Sequence, residues 1–289
     1  MDVLWLGRSG CDEVSLVGGK VASLSRLALD YRVPPGFCLT TAAFERHAQS
    51  PAAEILHPDL RATLAEAYAR LAEQCDASEP SVAVRSSAVD EDGRSASFAG
   101  QYETYLHIVG IDAVCRAVER CRASLASSRV LEYGRRHGLT PDGLRLAVLV
   151  QQLVPSDVSA VVFSVNPITG NADEVVINAS WGLGESIVGG TVTPDTYVVR
   201  KTDMTVVSKQ VSEKRRMTVS AESGTREVDV PRVLRGKAAL DDGQIREMAT
   251  LAMTLELRHG WPVDVECACH AGRLYLLQCR PITTLAALE

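Results

Sequence analysis

The apolar and polar residues along the chain alternate between helical patterns and short strand patterns. Val21, Leu24 and Leu27 recur at the spacing of one helix face, directly after a Gly-Gly-Lys sequence. Residues 146–150 are apolar at every position, which is typical of a central strand that is covered on both faces. The first half of the chain is therefore expected to combine helices with a sheet, an α/β arrangement.

The second half of the chain is richer in strand patterns. Short apolar runs separated by turn residues occupy residues 160–230, and one long helical pattern covers residues 241–259 and stops at Gly260. These features predict a sheet with a flanking helix, an α+β layer. A proline turn separates the two halves, so we expect two domains, at residues 1–154 and 155–289.

The last long pattern, at residues 263–281, predicts two strands around a tight turn that contains Gly272. A three-residue loop at residues 271–273 would pair His270 with Leu274. Counting back from that pair sets the predicted register of the whole hairpin.

Four polar side chains then lie on one face of the hairpin. The register places Glu266 opposite Gln278 and Asp264 opposite Arg280. Carboxylate and amide oxygens suit Mg²⁺, and an arginine beside them suits a phosphate group. A cross-strand salt bridge on a solvated sheet face explains the same residues, and the hairpin alone leaves both interpretations open.

Composition narrows the functional classes. A formal net charge of −6 argues against general nucleic-acid binding by the surface of the chain. No run of about 18 apolar residues predicts a membrane span. The first five residues include an acid and no basic region, so no signal peptide is predicted, and a cytoplasmic location is expected.

The eight cysteines are expected to be reduced thiols, since the chain is large and shows no export signal. Cys267, Cys269 and Cys279 could suggest a zinc site. In the predicted hairpin, however, they lie on the face opposite Asp264 and Glu266. We expect small core residues there, on the same face as Val265, Tyr275 and Leu277.

Two cations in the first half are candidate phosphate ligands. Lys20 begins a helix that follows two glycines, where backbone N–H groups favour anions. Arg85 ends an apolar strand and precedes a loop rich in glycine and serine, whose amides can surround an anion. A solvated lysine and a flexible surface hairpin are the alternatives, and both remain open at this point.

Taken in order, these segments resemble the ATP-binding domain of the phosphoenolpyruvate synthase, pyruvate phosphate dikinase and rifampin phosphotransferase family. The resemblance covers nearly the whole chain. It rests on a series of motifs, namely Gly18-Gly-Lys20, Val33-Pro-Pro-Gly-Phe37, Ala83-Val-Arg-Ser-Ser-Ala88, Ser97-Phe-Ala-Gly-Gln101, Ser180-Trp-Gly-Leu-Gly-Glu185 and Gln278-Cys-Arg-Pro-Ile-Thr283.

The resemblance implies an ATP-grasp fold, in which the nucleotide cleft lies between two α/β subdomains. It also implies the cofactors ATP and Mg²⁺, with Glu266 and Gln278 as metal ligands, Asp264 beside them, and Lys20, Arg85 and Arg280 as catalytic cations on the phosphates. The remaining ATP contacts that it implies are a loop over the triphosphate, formed by Ser97, Ala99, Gly100, Gln101 and Thr104, and a hinge that meets adenine, formed by Gln151, Gln152, Leu153 and Val154.

In this family ATP yields AMP and phosphate, and its β-phosphoryl group passes to a histidine on a swivelling domain. A further domain transfers that group to pyruvate or to an antibiotic hydroxyl. None of the six histidines here has the Gly- and Ser-rich context of the phosphohistidine. The resemblance therefore implies two partners, a histidine domain and an acceptor domain, in a longer chain or a separate protein. An ATP-grasp carboxylate–amine ligase and a non-catalytic nucleotide-binding module are the alternative functions.

Overall fold

The computed structural model describes residues 1–46, 56–89, 103–125 and 145–282. The chain divides into two compact units. Unit 1 contains Met1–Leu153 and Ala221–Gly224, and unit 2 contains Val154–Ser220 and Thr225–Glu289. Within the described ranges, no helix combines the length and the apolar character needed to cross a bilayer.

Unit 1 is built on one antiparallel sheet with the strand order β1-β2-β5-β3-β4. Its strands are β1 (Val3–Trp5), β2 (Gly36–Leu39), β3 (Val82–Ala88), β4 (Thr104–Ile108) and β5 (Leu146–Gln152). Its helices are α1 (Val14–Leu27), α2 (Thr41–Arg46), α3 (Pro58–Gln74) and α4 (Ile111–Ser124).

Strand β5 lies in the middle of this sheet and is covered on both faces, as its apolar sequence predicts. Leu146, Val148 and Val150 join the core that includes residues of α2, α3 and α4. Ala147 and Leu149 alternate with them and are also fully buried, and α1 packs against the same strand. The predicted central strand is confirmed.

Unit 2 contains a six-stranded antiparallel sheet with the order β13-β12-β6-β7-β8-β9, and a two-stranded sheet of β10 and β11. Its strands are β6 (Val158–Phe163), β7 (Glu174–Trp181), β8 (Asp195–Arg200), β9 (Val206–Gln210), β10 (Arg216–Ser220), β11 (Thr225–Asp229), β12 (Val263–His270) and β13 (Arg273–Pro281). Its helices are α5 (Glu185–Val188), α6 (Arg232–Arg235) and α7 (Asp242–His259). Two sheets with flanking helices confirm the mixed α/β class.

Helix α7 flanks the large sheet of unit 2 and begins and ends where the sequence predicts. Asp241 and Gln244 form a capping box at its start, and Gly260 adopts the left-handed conformation at its end. Its apolar residues pack towards β6, β7 and β12, and Ile245, Met248 and Leu255 are fully buried. One face of the sheet therefore packs against α7 and forms the core of unit 2 with it.

The C-terminal hairpin has the predicted register at its polar residues, although the predicted turn is wrong. Asp264 lies opposite Arg280 and Glu266 lies opposite Gln278. The turn contains two residues rather than three, because His270 pairs with Arg273. A register shift after Glu266 adds one residue on β13 and restores the pairing.

Because of the same shift, the predicted face is wrong for two side chains of β13, Tyr275 and Leu277. Leu276, not Tyr275 or Leu277, lies opposite Cys267, and it is 2% exposed. All eight cysteines are free thiols, and the three of this hairpin are buried. The expectation of small core residues is confirmed.

A buried ion pair joins three segments of unit 2. Lys214 Nζ lies 2.5 Å from Asp195 Oδ1, and both side chains are fully inaccessible. Asp195 also accepts hydrogen bonds from Ser212 N, Ala239 N and the Tyr197 hydroxyl. Burial raises the pKa of Tyr197 to about 12, so its hydroxyl keeps the proton that it donates. The network connects β8 to the residues before β10 and α7.

Candidate functional site

Lys20 lies at a break in helix α1. Gly18 has φ 75°, and a Cβ atom there would lie 2.4 Å from the Ser87 carbonyl oxygen, so only glycine fits against β3. The helix resumes after Gly18, with the Val21 N–H donating to Ser87 Oγ at 3.2 Å. Lys20 Nζ donates to the Ser86 carbonyl at 3.0 Å. At 7% exposure Lys20 is not a solvated side chain, and that alternative is wrong.

Arg85 lies within β3, next to the carbonyl that holds Lys20. It is 9% exposed, so its own strand is buried, while the loop that the surface-hairpin alternative concerns, residues 90–102, lies outside the described residues. Its backbone pairs with Leu149 on one side and Thr104 on the other. Paired residues of antiparallel strands share a face, so Thr104 lies beside Arg85 as the predicted site requires. Lys20 and Arg85 together form what we name the cationic corner of unit 1.

The predicted phosphate loop is only partly within the described ranges. Thr104 begins β4 and is exposed. The other predicted members, Ser97, Ala99, Gly100 and Gln101, lie outside the described residues.

The predicted adenine-binding segment, residues 151–154, already makes several hydrogen bonds within the protein. The side-chain amide of its first residue donates to the Pro34 carbonyl at 3.0 Å. The backbone N–H groups of the second and third residues donate to Pro35 and Ser81, both at 2.9 Å. Within the described ranges the Val154 N–H has no such partner, so it is the donor that remains for a ligand.

Asp264 and Arg280 form a forked ion pair on the hairpin of unit 2. Asp264 Oδ2 accepts from Arg280 Nε at 2.8 Å and lies 2.7 Å from its Nη2. Burial raises the pKa of Asp264, and the arginine offsets part of that effect. Asp264 Oδ1 is buried and has no hydrogen-bond partner among the residues described. The salt-bridge interpretation is thus correct for one oxygen, on a buried rather than a solvated face, while the other oxygen remains for a ligand.

Glu266 and Gln278 form the neighbouring pair on the same hairpin. They lie directly opposite each other, so their side chains leave the same face of the sheet. Gln278 is 5% exposed and Glu266 is half-buried. The described ranges contain no group of three or more His, Cys, Asp or Glu residues able to hold a metal ion. One carboxylate and one amide oxygen nevertheless suit Mg²⁺, which usually keeps water and phosphate ligands.

Comparison with known proteins decides the family. The family described as "Pyruvate phosphate dikinase, AMP/ATP-binding domain" matches residues 52–289. The chain belongs to this family. This assignment confirms the resemblance drawn from the motif series. The matched residues include Arg85 and the C-terminal hairpin of a dikinase-type AMP/ATP-binding domain, whereas Lys20 precedes them.

Curated relatives of this dikinase-type domain match almost its whole length. A probable phosphoenolpyruvate synthase of Methanocaldococcus jannaschii is 39% identical over 98% of this chain and 27% of its own. The rifampicin phosphotransferase of Streptomyces sviceus is 38% identical over 94% of this chain and 35% of its own. The chain therefore spans about a quarter to a third of the length of these relatives.

Among solved structures, D-alanyl-alanine synthetase A from Vibrio cholerae is 13% identical and covers 88% of this chain and 51% of its own, with a TM-score of 0.33. A score below 0.5 is too low to support a closer fold assignment.

Two motifs of the dikinase-type domain have structural roles that sequence reasoning missed. Ser86 and Ser87 of the Arg-Ser-Ser motif anchor Lys20 and α1. In the Trp-Gly-Leu-Gly motif, Gly182 has φ 79° and a Cβ there would lie 2.4 Å from the Thr218 carbonyl oxygen. Trp181 Nε1 donates to the Leu234 carbonyl at 3.1 Å. The second motif therefore holds β10 and α6 in place. Its glycines were the sequence feature that could have indicated this close packing.

Proposed function

We propose that this chain is the nucleotide-binding domain of an ATP-dependent phosphotransferase and that it binds Mg-ATP in an ATP-grasp arrangement. The observation that carries the proposal is the hairpin of unit 2. There, the Glu266–Gln278 pair lies beside a buried carboxylate oxygen without a partner among the described residues and beside an oriented arginine. Family membership supports the same function.

Glu266 and Gln278 would hold Mg²⁺, with Asp264 Oδ1 close to the same position. The donors are all oxygen atoms, which fits Mg²⁺ rather than zinc or copper. The metal would supply charge neutralisation to the phosphate oxygens. Asp264 has a second role, because its Oδ2 fixes the Arg280 guanidinium. Held in this orientation, the Arg280 guanidinium would donate to the phosphates.

The cationic corner of unit 1 would bind phosphate groups of the nucleotide. Lys20 and Arg85 are both buried, and charge-assisted contacts to phosphate are stronger where water is excluded. Ser97, Ala99, Gly100, Gln101 and Thr104 would close over the phosphates. In the segment formed by Gln151, Gln152, Leu153 and Val154, the Val154 N–H would donate to the adenine ring.

The reaction would leave AMP and phosphate and place the β-phosphoryl group on a histidine of a further domain. That domain, and another that binds the acceptor, would lie in the part of the relatives that this chain does not span. Pyruvate or an antibiotic hydroxyl would be the final acceptor. Phosphoryl transfer depends mainly on positioning and charge neutralisation, so the residues above suffice for binding, while the isolated chain should turn over slowly.

Changing Glu266 to Gln tests the metal assignment. The variant keeps the shape of the side chain but removes its charge, and we expect Mg-ATP affinity to fall roughly 10- to 100-fold, the usual effect of disturbing a metal site. Calorimetric titration with ATP in Mg²⁺ and in EDTA measures the effect, which should be confined to the Mg²⁺ series.

Glu227→Gln is the matched control, since Glu227 is a half-exposed carboxylate of the same unit on β11. Its affinity for Mg-ATP should equal that of the wild type. If Glu266→Gln binds Mg-ATP as tightly as the control, Glu266 is not a metal ligand. Product analysis with a histidine-domain partner then separates the functions: AMP and phosphate support the phosphotransferase, amine-dependent ADP supports a ligase, and binding without turnover supports a non-catalytic module.

A further inference from the structure

The register of the six-stranded sheet aligns the metal-binding pair with polar residues two and three strands away. Gln278 pairs with Glu266, Glu266 with Val161, Val161 with Asn178, and Asn178 with Thr196. Directly paired residues of antiparallel strands point to the same face. We name this line of five side chains, from β13 to β8, the polar row.

The polar row lies on the face of the sheet that does not form the core with α7. The residues that alternate with it, Val162, Ile177, Tyr197 and Val265, are fully buried, and α7 packs on β6, β7 and β12. On the row itself, all members except Gln278 are only partly buried. The row is therefore on a face where side chains can contact a ligand.

Asn178 is the member of the row with an available donor. Thr196 Oγ1 donates to Asn178 Oδ1 at 3.0 Å, which fixes the amide orientation. Over the ranges that the structure describes, Asn178 Nδ2 has no hydrogen-bond partner. Asparagine is disfavoured in the middle of a strand, and its neighbours on β7 are mostly apolar. An oriented amide donor on an open sheet face is well placed to bind an acceptor.

The position of Asn178 selects the part of the ligand that it would reach. Strands β12 and β7 are separated by β6, so Asn178 lies about 10 Å from Glu266 at the usual strand spacing. This distance is too long for a shared metal ion or phosphate group. It matches the reach from a metal-bound phosphate to the sugar of the same nucleotide. A neutral amide also suits a hydroxyl better than a phosphate, which favours charged donors.

We infer that Asn178 donates through Nδ2 to a ribose hydroxyl of the bound nucleotide and that Thr196 positions it. The inference rests on the proposed function and adds a sugar-binding residue to it. Thr196 would not contact the ligand, so its effect would pass entirely through the orientation of Asn178.

The test compares three probes by calorimetric titration in Mg²⁺: ATP, 2′,3′-dideoxy-ATP and tripolyphosphate. Asn178→Ala should weaken ATP binding roughly 3- to 10-fold, the range expected for one neutral hydrogen bond. It should leave the affinities for dideoxy-ATP and tripolyphosphate unchanged. Thr196→Val should show the same pattern with a smaller loss. Gln210→Ala, a change of the exposed β9 residue paired with Thr196, should alter none of them.

The outcomes separate the inference from the function on which it rests. Wild-type chain that fails to bind Mg-ATP would overturn both. Two results would overturn the ribose contact alone, provided that the wild-type chain binds Mg-ATP. In one, Asn178→Ala loses affinity equally for ATP and dideoxy-ATP; in the other, it loses none. Circular dichroism verifies that each variant is folded. If Asn178→Ala does not fold, the near-isosteric Thr196→Val variant tests the ribose contact through the same comparison of ATP with dideoxy-ATP.

Discussion

Replacing Lys214 by methionine should lower the free energy of unfolding of unit 2 by about 3–5 kcal/mol, the usual cost of removing one partner of a buried ion pair. Both side chains of the Lys214–Asp195 pair are fully inaccessible. The variant would leave the Asp195 carboxylate without a counter-charge and without water. Methionine is a flexible apolar side chain of similar length, so a new cavity should contribute little.

Urea unfolding in a Trp5→Phe background measures this effect, because the remaining tryptophans, Trp181 and Trp261, both lie in unit 2. Lys209→Met is the matched control. Its side chain is 41% exposed, and its Nζ lies 3.6 Å from Asp242 Oδ1 and 5.7 Å from the centre of the Tyr197 ring. Its loss should therefore change stability by no more than about 1 kcal/mol. A loss below about 1 kcal/mol for Lys214→Met would show that the rest of the network stabilises Asp195 without the lysine.

The sequence does not reveal this ion pair, although it contains both residues. Lys214 stands next to Arg215 and Arg216, so the local pattern indicates a solvated basic run. Its burial depends on Asp195, which lies 19 positions earlier on β8, whereas Lys214 lies in the loop before β10. Tertiary partners of this kind cannot be derived from periodicity, because period and composition describe only one element at a time.

The hairpin shows how local signals predict a site and where they stop. Strand alternation counted back from an assumed turn paired Glu266 with Gln278, and the structure has the same pair. The prediction assumed a three-residue turn and regular strands, whereas the turn has two residues and β13 has an added residue. The two differences cancel at the polar pairs. Ala271 adopts φ 48°, which alanine rarely does. An alanine at this position therefore does not indicate the shorter turn.

For the candidate site, the order of motifs selects residues but does not give the contacts between them. Motif order singled out Lys20 and Arg85, and the structure places Lys20 on α1 with its Nζ on the carbonyl of Ser86, the residue after Arg85 on β3. The contact that joins them runs from Lys20 to the Ser86 carbonyl, 66 residues away. Only the fold brings α1 against β3. Asn178 was missed for the same reason, since its place in the polar row depends on the register of five strands.

Gly18→Ala should destabilise unit 1 by about 2–5 kcal/mol and should also weaken Mg-ATP binding. The φ of 75° alone costs alanine roughly 1–2 kcal/mol. The added Cβ would lie 2.4 Å from both the carbonyl oxygen and Oγ of Ser87, and this overpacking adds about 1–3 kcal/mol. Relief of the clash requires α1 to move away from β3, which would displace Lys20 from Ser86.

Gly10→Ala is a control in the same unit that separates the cost of the positive φ from the cost of the close contact with Ser87. Gly10 has φ 83°, so it carries the same conformational strain, but a Cβ there would meet Leu4 Cδ2 at 3.5 Å, an ordinary contact. We expect Gly10→Ala to lose only about 1–2 kcal/mol in urea unfolding and to bind Mg-ATP as the wild type does. Equal losses of stability in the two variants would show that the close approach of Gly18 to Ser87 is not what fixes α1. A Gly18→Ala protein that keeps full Mg-ATP affinity would show that the position of Lys20 does not matter for nucleotide binding.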